Sequence, residues 1–313
     1  MATNLWKGDA DGNCANAANW SEGIPVANQD VIIPPWATNG LTSNLDAITS
    51  IALNSFWVQE GFTKNIGTTT GFFRLDITGS SPTRFLYEGS STLAKFHFRK
   101  TGQYVSLEVR KTGVGTTGQP AFQMMTDNVS ASASTYVGKL SVYSGEVSLG
   151  PEHQICELLA LTVGERAAES DAVVHIGTNC RDIDPSNSPL LTVDVNGGMV
   201  YADNSLITVS QYGGVIEHRG DAIYVLNLWG GTSRLNNPTG TSGGKVITKL
   251  NLRGGTLDNS ENPTQKTITN ADLHSGSIDD PLAKLTWTNA VVYKGAKNDV
   301  EFDWGPERTI TIA

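Results

Sequence analysis

With 313 residues, 22 basic and 31 acidic, the chain carries a formal net charge of −9 and no Lys/Arg run longer than the pairs Arg99–Lys100 and Arg110–Lys111. That balance counts against nucleic acid as a partner, and the lack of any stretch near the roughly 20 apolar residues of a bilayer span counts against a membrane one. Hydrophobic residues at 39%, 33 glycines and abundant Ser, Thr and Asn, without long 3.6-residue periodicity, define an all-β chain.

In chain order, the first stretch reads Trp6–Gly8 (WKG), Asn19–Pro25 (NWSEGIP) and Asp30–Pro34 (DVIIP). Read as residues, this is an N-terminal cap or arm over 1–44: two Trp side chains and Pro breaks can plug the raw core and unpaired edges that end a stack of strands. Asp9, Asp11 and Asn13 resemble the start of a calcium loop, but the later Glu that such a loop requires is missing from its place. Met1–Trp6 has neither the basic start nor the apolar centre of a secretory signal. The composition nevertheless suits a protein that works outside a cell, which either has had a signal removed or leaves by another route, release of a virus particle by lysis being one.

These same motifs resemble the W-x-G, N-W-x-x-G-x-P, D-x-V-x-I opening of many right-handed β-helix repeat proteins, the secreted, autotransporter-like passengers, an architecture also used in bacteriophage virion surface proteins. The resemblance covers about the first 35 residues. It implies an architecture and not an activity.

From Leu45 to Val137, β-prone runs (Ile48 to Val58, Phe72 to Ile77, Arg84 to Tyr87, Leu93 to Phe98, Tyr104 to Val109) alternate with turns at intervals near one coil. Alternation in Phe96–Lys100 and Tyr104–Arg110 places His97, Arg99, Glu108 and Arg110 on a different face from their apolar neighbours. Thr112 to Gly118 and Thr126 to Thr135 read as loops.

Between Val142 and Ile278 one pattern recurs: Val142–Val147 (VYSGEV), Val195–Val200 (VNGGMV), Gln211–Ile216 (QYGGVI), Leu228–Ser233 (LWGGTS), Leu252–Leu257 (LRGGTL) and Leu273–Ile278 (LHSGSI). A glycine corner repeated at about twenty residues, flanked by aliphatics, predicts a single-stranded right-handed parallel β-solenoid over 45–293, with Val195, Val200, Ile216, Leu252, Leu257 and Ile278 stacked inside. Hairpin turns of a β-sandwich are the alternative. The tail, 294–313, reads as a C-terminal cap or oligomer contact.

No catalytic constellation emerges. Asp182 and Asp184 beside Arg181 offer paired carboxylates next to Pro185 and Pro189; in Glu217–Asp221 (EHRGD), Glu217 and His218 fall on opposite faces of a strand and cannot act together. Asn19 and Asn128 fit the glycosylation pattern. Cys14, Cys156 and Cys180 make no ligand spacing and read as reduced core residues. No catalytic residue, cofactor or metal is therefore expected. The interface candidates are the aromatics at the two ends: Trp6, Trp20 and Trp36, and Trp287, Tyr293, Phe302 and Trp304. The expected function is a non-enzymatic structural protein of a virus particle, a bacteriophage capsid decoration or other virion-surface protein. Its partners would be copies of itself, with a trimer favoured, and other virion proteins such as the capsid. The alternatives are a tailspike-like protein that binds or cleaves a surface polysaccharide, and a bacterial surface adhesin with its signal removed.

Overall fold

The computed structural model describes residues 2–49, 51–77, 84–101, 106–116, 118–127, 138–165, 170–181, 190–220, 222–236, 245–262, 265–293 and 300–303. The chain divides into two compact units, Met1–Leu161 with Ala172–Ser188, and Thr162–Asp171 with Pro189–Ala313. Each is a parallel β-solenoid. Strands about one coil apart in sequence pair side by side in the same direction, which needs a crossover rather than a tight turn, so the hairpin alternative fails.

In the first unit one face is built from Thr3–Leu5, Asp30–Ile33, Ser55–Val58, Arg84–Tyr87, Ser106–Val109 and Lys139–Val142, each in parallel register with the next. Parallel stacking therefore begins at Thr3, inside the segment read as a cap. A second face runs through Phe73–Ile77, Ala94–Thr101, Phe122–Thr126, Glu146–Leu149 and Val173–Ile176. Alternate residues of these strands point inward, and the inward ones are large. Phe56, Phe73, Phe85, Phe96, Phe98, Phe122 and Tyr87 form one buried ring cluster, with Phe96 lying 5.0 Å from Phe85 and 5.4 Å from Phe122 between centroids. Such edge-to-face and offset pairs add roughly 1 kcal/mol each beyond the area they bury.

The N-terminal motifs are explained by the same unit. Trp6 and Trp20 pack edge to face at 4.8 Å, and both ring N–H groups donate to carbonyls, Trp6 to Asn39 O at 2.8 Å and Trp20 to Cys14 O at 3.0 Å. Asn19 is buried and ties the turn: its Oδ1 accepts from the Ala10 and Asp11 amides, and its Nδ2 donates to Asp11 Oδ1 at 2.7 Å. Gly8 adopts φ +61, and a Cβ there would press on Asn39 O, so the glycine of W-x-G is a close-approach position.

In the second unit a long face stacks Leu190–Val195, Leu206–Gln211, Ala222–Leu228, Lys245–Asp258, Lys266–Asp279 and Leu285–Val292. A short face stacks Met199–Ala202, Val215–His218, Thr232–Leu235, the later parts of the two 14-residue strands, and Val300–Asp303. The stacking expected from the sequence is present. Val195 and Leu252 lie in one buried column of the long face; Val200, Ile216, Leu257 and Ile278 lie in a buried column of the short face. Between the faces, Gly198, Gly214, Gly231, Gly255 and Gly276 all have positive φ, from 63° to 114°. A Cβ on Gly276 would lie 2.6 Å from Gly255 O, so the corners stack backbone on backbone. Outside, like pairs with like across rungs, as in Asn251 Nδ2 to Asn227 Oδ1 at 2.6 Å and Thr256 to Ser277 at 2.7 Å.

Candidate functional site

At four successive corners of the second unit the residue just before the small pair points out of the coil: Tyr212, Trp229 and Arg253 before Gly-Gly, and His274 before Ser-Gly. At the corner before them this position is Asn196, and Tyr293 follows the equivalent strand on the next rung. Tyr212 and Trp229 stack with centroids 6.3 Å apart and planes within 8°. The Arg253 guanidinium lies 4.9 Å from the Trp229 ring centre, and His274 stacks on Tyr293 at 4.2 Å with planes 3° apart. Tyr212 is 38% exposed, and Trp229 and Tyr293 are each 45% exposed.

The row is a product of the corner. Gly213 and Gly230 sit against Asn196 O and Tyr212 O, where a Cβ would come within 2.5 and 2.6 Å, so successive backbones approach closely at the corner. Rungs about 4.8 Å apart then bring planar side chains in register to stacking distance. The stacked rings remain partly open to solvent, and the Arg253 guanidinium covers one face of the Trp229 ring. The result is two short stacks, Tyr212–Trp229–Arg253 and His274–Tyr293, on either side of the register irregularity at Leu252/Arg253. Large rings held this way give much contact area at small entropic cost, the property of contact hot spots.

The short face carries a charged column beside it. Tyr201, Glu217, Arg234 and Asp258 are successive register partners. Arg219 bonds Glu217 at 2.7 Å and lies 4.5 Å over the Tyr201 ring, while Arg234 bonds Asp258 at 3.0 Å. Although partial burial opposes it, the Ser260 hydroxyl and amide and the Arg234 guanidinium hold the Asp258 carboxyl below its ordinary value. Glu217 is thus engaged outward. His218, the next residue, is buried inward as alternation requires, and burial with Lys266 nearby pushes its pKa down to about 3. Asp182, Asp184 and Asp221 lie outside the described residues.

The first unit has a separate cleft of about 340 Å³, lined by Gln123, Glu146, Ser148, Glu152 and His175 among others. Ser148 and His175 are register partners, and His175 Nε2 is 2.9 Å from Glu146 Oε1. At its rim Gly150, Glu152 and His153 all take the left-handed conformation, with φ of 62°, 53° and 64°. The sequence reading missed this carboxylate–imidazole pair, because its members are 29 residues apart and only coil register joins them.

Of the interface candidates, Trp6 and Trp20 are core rather than contact surface, since both are fully used inside the N-terminal turn. Trp36 is 59% exposed and Tyr293 45%, while Trp287 is half-buried. Trp304 and the side chain of Phe302 lie outside the described residues. Asp11 spends its Oδ1 on the Asn13 amide and on Asn19, and the described residues contain no cluster of three or more metal-ligating side chains. Of the glycosylation triplets, Asn19 is buried and hydrogen-bonded, and Asn128 lies outside the described residues.

No protein-family model matches the chain, and no curated protein or solved structure matches it either.

Proposed function

We propose that the chain is a non-enzymatic structural protein of a virus particle, a bacteriophage capsid decoration or another component of the virion surface. The observation that supports this reading most is the partly exposed corner row of Tyr212, Trp229, Arg253, His274 and Tyr293, whose two stacks offer ring area suited to holding a second protein surface. The partner would be another virion protein or a second copy of this chain, a trimer being the arrangement we favour. Light scattering on the purified chain, alone and with the coat protein of its particle, tests this. The reading predicts assembly with one or both, and its loss in the triple variant Tyr212→Ser, Trp229→Ser, Tyr293→Ser. A monomer indifferent to the coat protein would overturn it.

A second reading is favoured by the partly exposed aromatic and cationic side chains of the same row: binding of a surface polysaccharide, whose sugar faces would stack on the rings and whose carboxylates would meet the Arg253 guanidinium. Retention on immobilised cell-surface polysaccharide, without assembly, would replace the first reading with this one. Release of reducing ends from that polysaccharide would make it an enzyme, and Glu146 and His175 would be the first residues to substitute.

A further inference from the structure

Cys156–Glu157 and Cys180–Arg181 form their own small parallel sheet in the first unit, with Cys156 and Cys180 as register partners. We propose that these two cysteines are a latent disulfide pair, one that locks a coil of the first unit to the next when the protein folds in an oxidising compartment.

Three observations carry the assignment. Paired residues of adjacent parallel strands lie about 4.8 Å apart, inside the roughly 4.4 to 6.8 Å between Cα atoms that a disulfide spans. The two side chains also face one another, since the Cys156 thiol is within hydrogen-bonding reach of the Cys180 sulfur. Each strand is only two residues long, so the pair can tighten without dragging an extended ladder with it. Both thiols are completely buried, and among the described residues no cluster of three or more metal-ligating side chains includes them. Cys14 is the internal contrast. It is equally buried, but it sits in the N-terminal turn beneath Trp20, where burial pushes its thiol up to about 12.

The same geometry fixes when the bond forms. The hydrogen bond to Cys180 and burial raise the Cys156 thiol well above its usual range, so the closed coil holds little thiolate and exchanges slowly. Oxidation belongs to folding or to local opening. One cysteine thiolate attacks a small disulfide oxidant such as oxidised glutathione, forming a mixed disulfide and releasing one glutathione thiolate. The second cysteine thiolate then attacks the protein sulfur of that mixed disulfide and releases the other. The two protein thiols give up two protons and two electrons, and two glutathione thiols receive them.

The test uses the full chain made in parallel in cells with an oxidising and with a reducing cytoplasm. The oxidised product should be lighter by two hydrogen atoms and show one titratable thiol in denaturant, against three for the reduced product. Non-reducing tryptic digestion should link the peptide 140–166 to the peptide 167–181, leaving Cys14 unmodified in 8–64. The linked protein should also melt several degrees higher than the same sample after reduction. Three thiols in the oxidised product, or a link that includes Cys14, would overturn the proposal. The Cys156→Ala variant should lose the link and the redox dependence of melting together. If that variant does not fold, the peptide map of the unaltered chain still decides.

Discussion

In the first unit successive paired strands are 22 to 33 residues apart and the interior is packed with rings, whereas in the second they are 16 to 24 apart and the interior columns are mostly aliphatic. A longer coil encloses a wider section, and phenylalanines from both faces fill it by meeting across the middle. A shorter coil needs only one modest side chain per position per rung, so the same residue class repeats and the corner repeats with it. Irregular coils therefore concentrate their stability in a few interlocked rings. Regular coils spread it along columns, and they align their outward side chains into rows.

The largest effect should come from the ring cluster. Phe96→Ala removes a ring that meets Phe56, Phe73, Phe85, Tyr87, Phe98 and Phe122, and should cost about 3 to 5 kcal/mol in denaturant unfolding. Leu257→Ala in the aliphatic column should cost less, about 2 to 4 kcal/mol. An equal or reversed ordering would break the contrast between concentrated and distributed cores.

Next in size is the corner. Gly231→Ala places a Cβ at φ +76 against Gly214 O and should destabilise the second unit by about 2 kcal/mol, part from the left-handed backbone and part from the clash. Gly23→Ala, with φ +76 but open space around its Cβ position, carries the conformational part alone and should cost about 1 kcal/mol. If calorimetry gives the two substitutions the same loss, the corners do not stack under compression.

The pH dependence of the second unit should be milder. His218 has an ordinary value of 6.5 when unfolded and about 3 when folded, so in that window only the unfolded chain binds its proton. Its contribution is complete above about pH 6.5 and is lost as pH falls toward 3. His218→Leu should narrow the gap between melting temperatures at pH 7.5 and pH 5. An unchanged gap would mean that the ring is not held neutral.

The smallest effect on folding is expected at the exposed row. Trp229→Ser should change unfolding free energy by no more than about 1 kcal/mol, because the ring is half in solvent and its partners Tyr212 and Arg253 remain hydrated. A loss as large as that of Leu257→Ala would make the row a structural device and not a contact surface.

The same contrast explains what could be read from sequence. In the second unit the inward columns of Val200, Ile216, Leu257 and Ile278 were legible, because a glycine of positive φ marks each corner and alternation assigns the neighbours. In the first unit strand positions could be found, but not their partners, since intervals that vary by several residues leave register undetermined. The Glu146–His175 pair was hidden for that reason. Cys156 and Cys180 were separated by 24 residues, the same interval as Gly231 and Gly255, and that coincidence with a coil length was a usable signal. The N-terminal motifs pointed to solenoid architecture but not to the job of their tryptophans, because a ring that plugs an end and a ring that contacts a partner share one composition. Their burial, their mutual packing and the partners of the two ring N–H groups show that Trp6 and Trp20 belong to the core.

The central claim, that this solenoid is a fixed part of a particle, is tested most directly by sedimenting intact particles from the source of the chain through a density gradient and quantifying the chain in each fraction. The account predicts that it bands with the particles at a constant ratio to coat protein, with Tyr212, Trp229 and Tyr293 shielded from hydroxyl-radical labelling there and labelled in the isolated chain. Recovery of the chain only in fractions free of particles, with those three rings labelled equally in both samples, would contradict it.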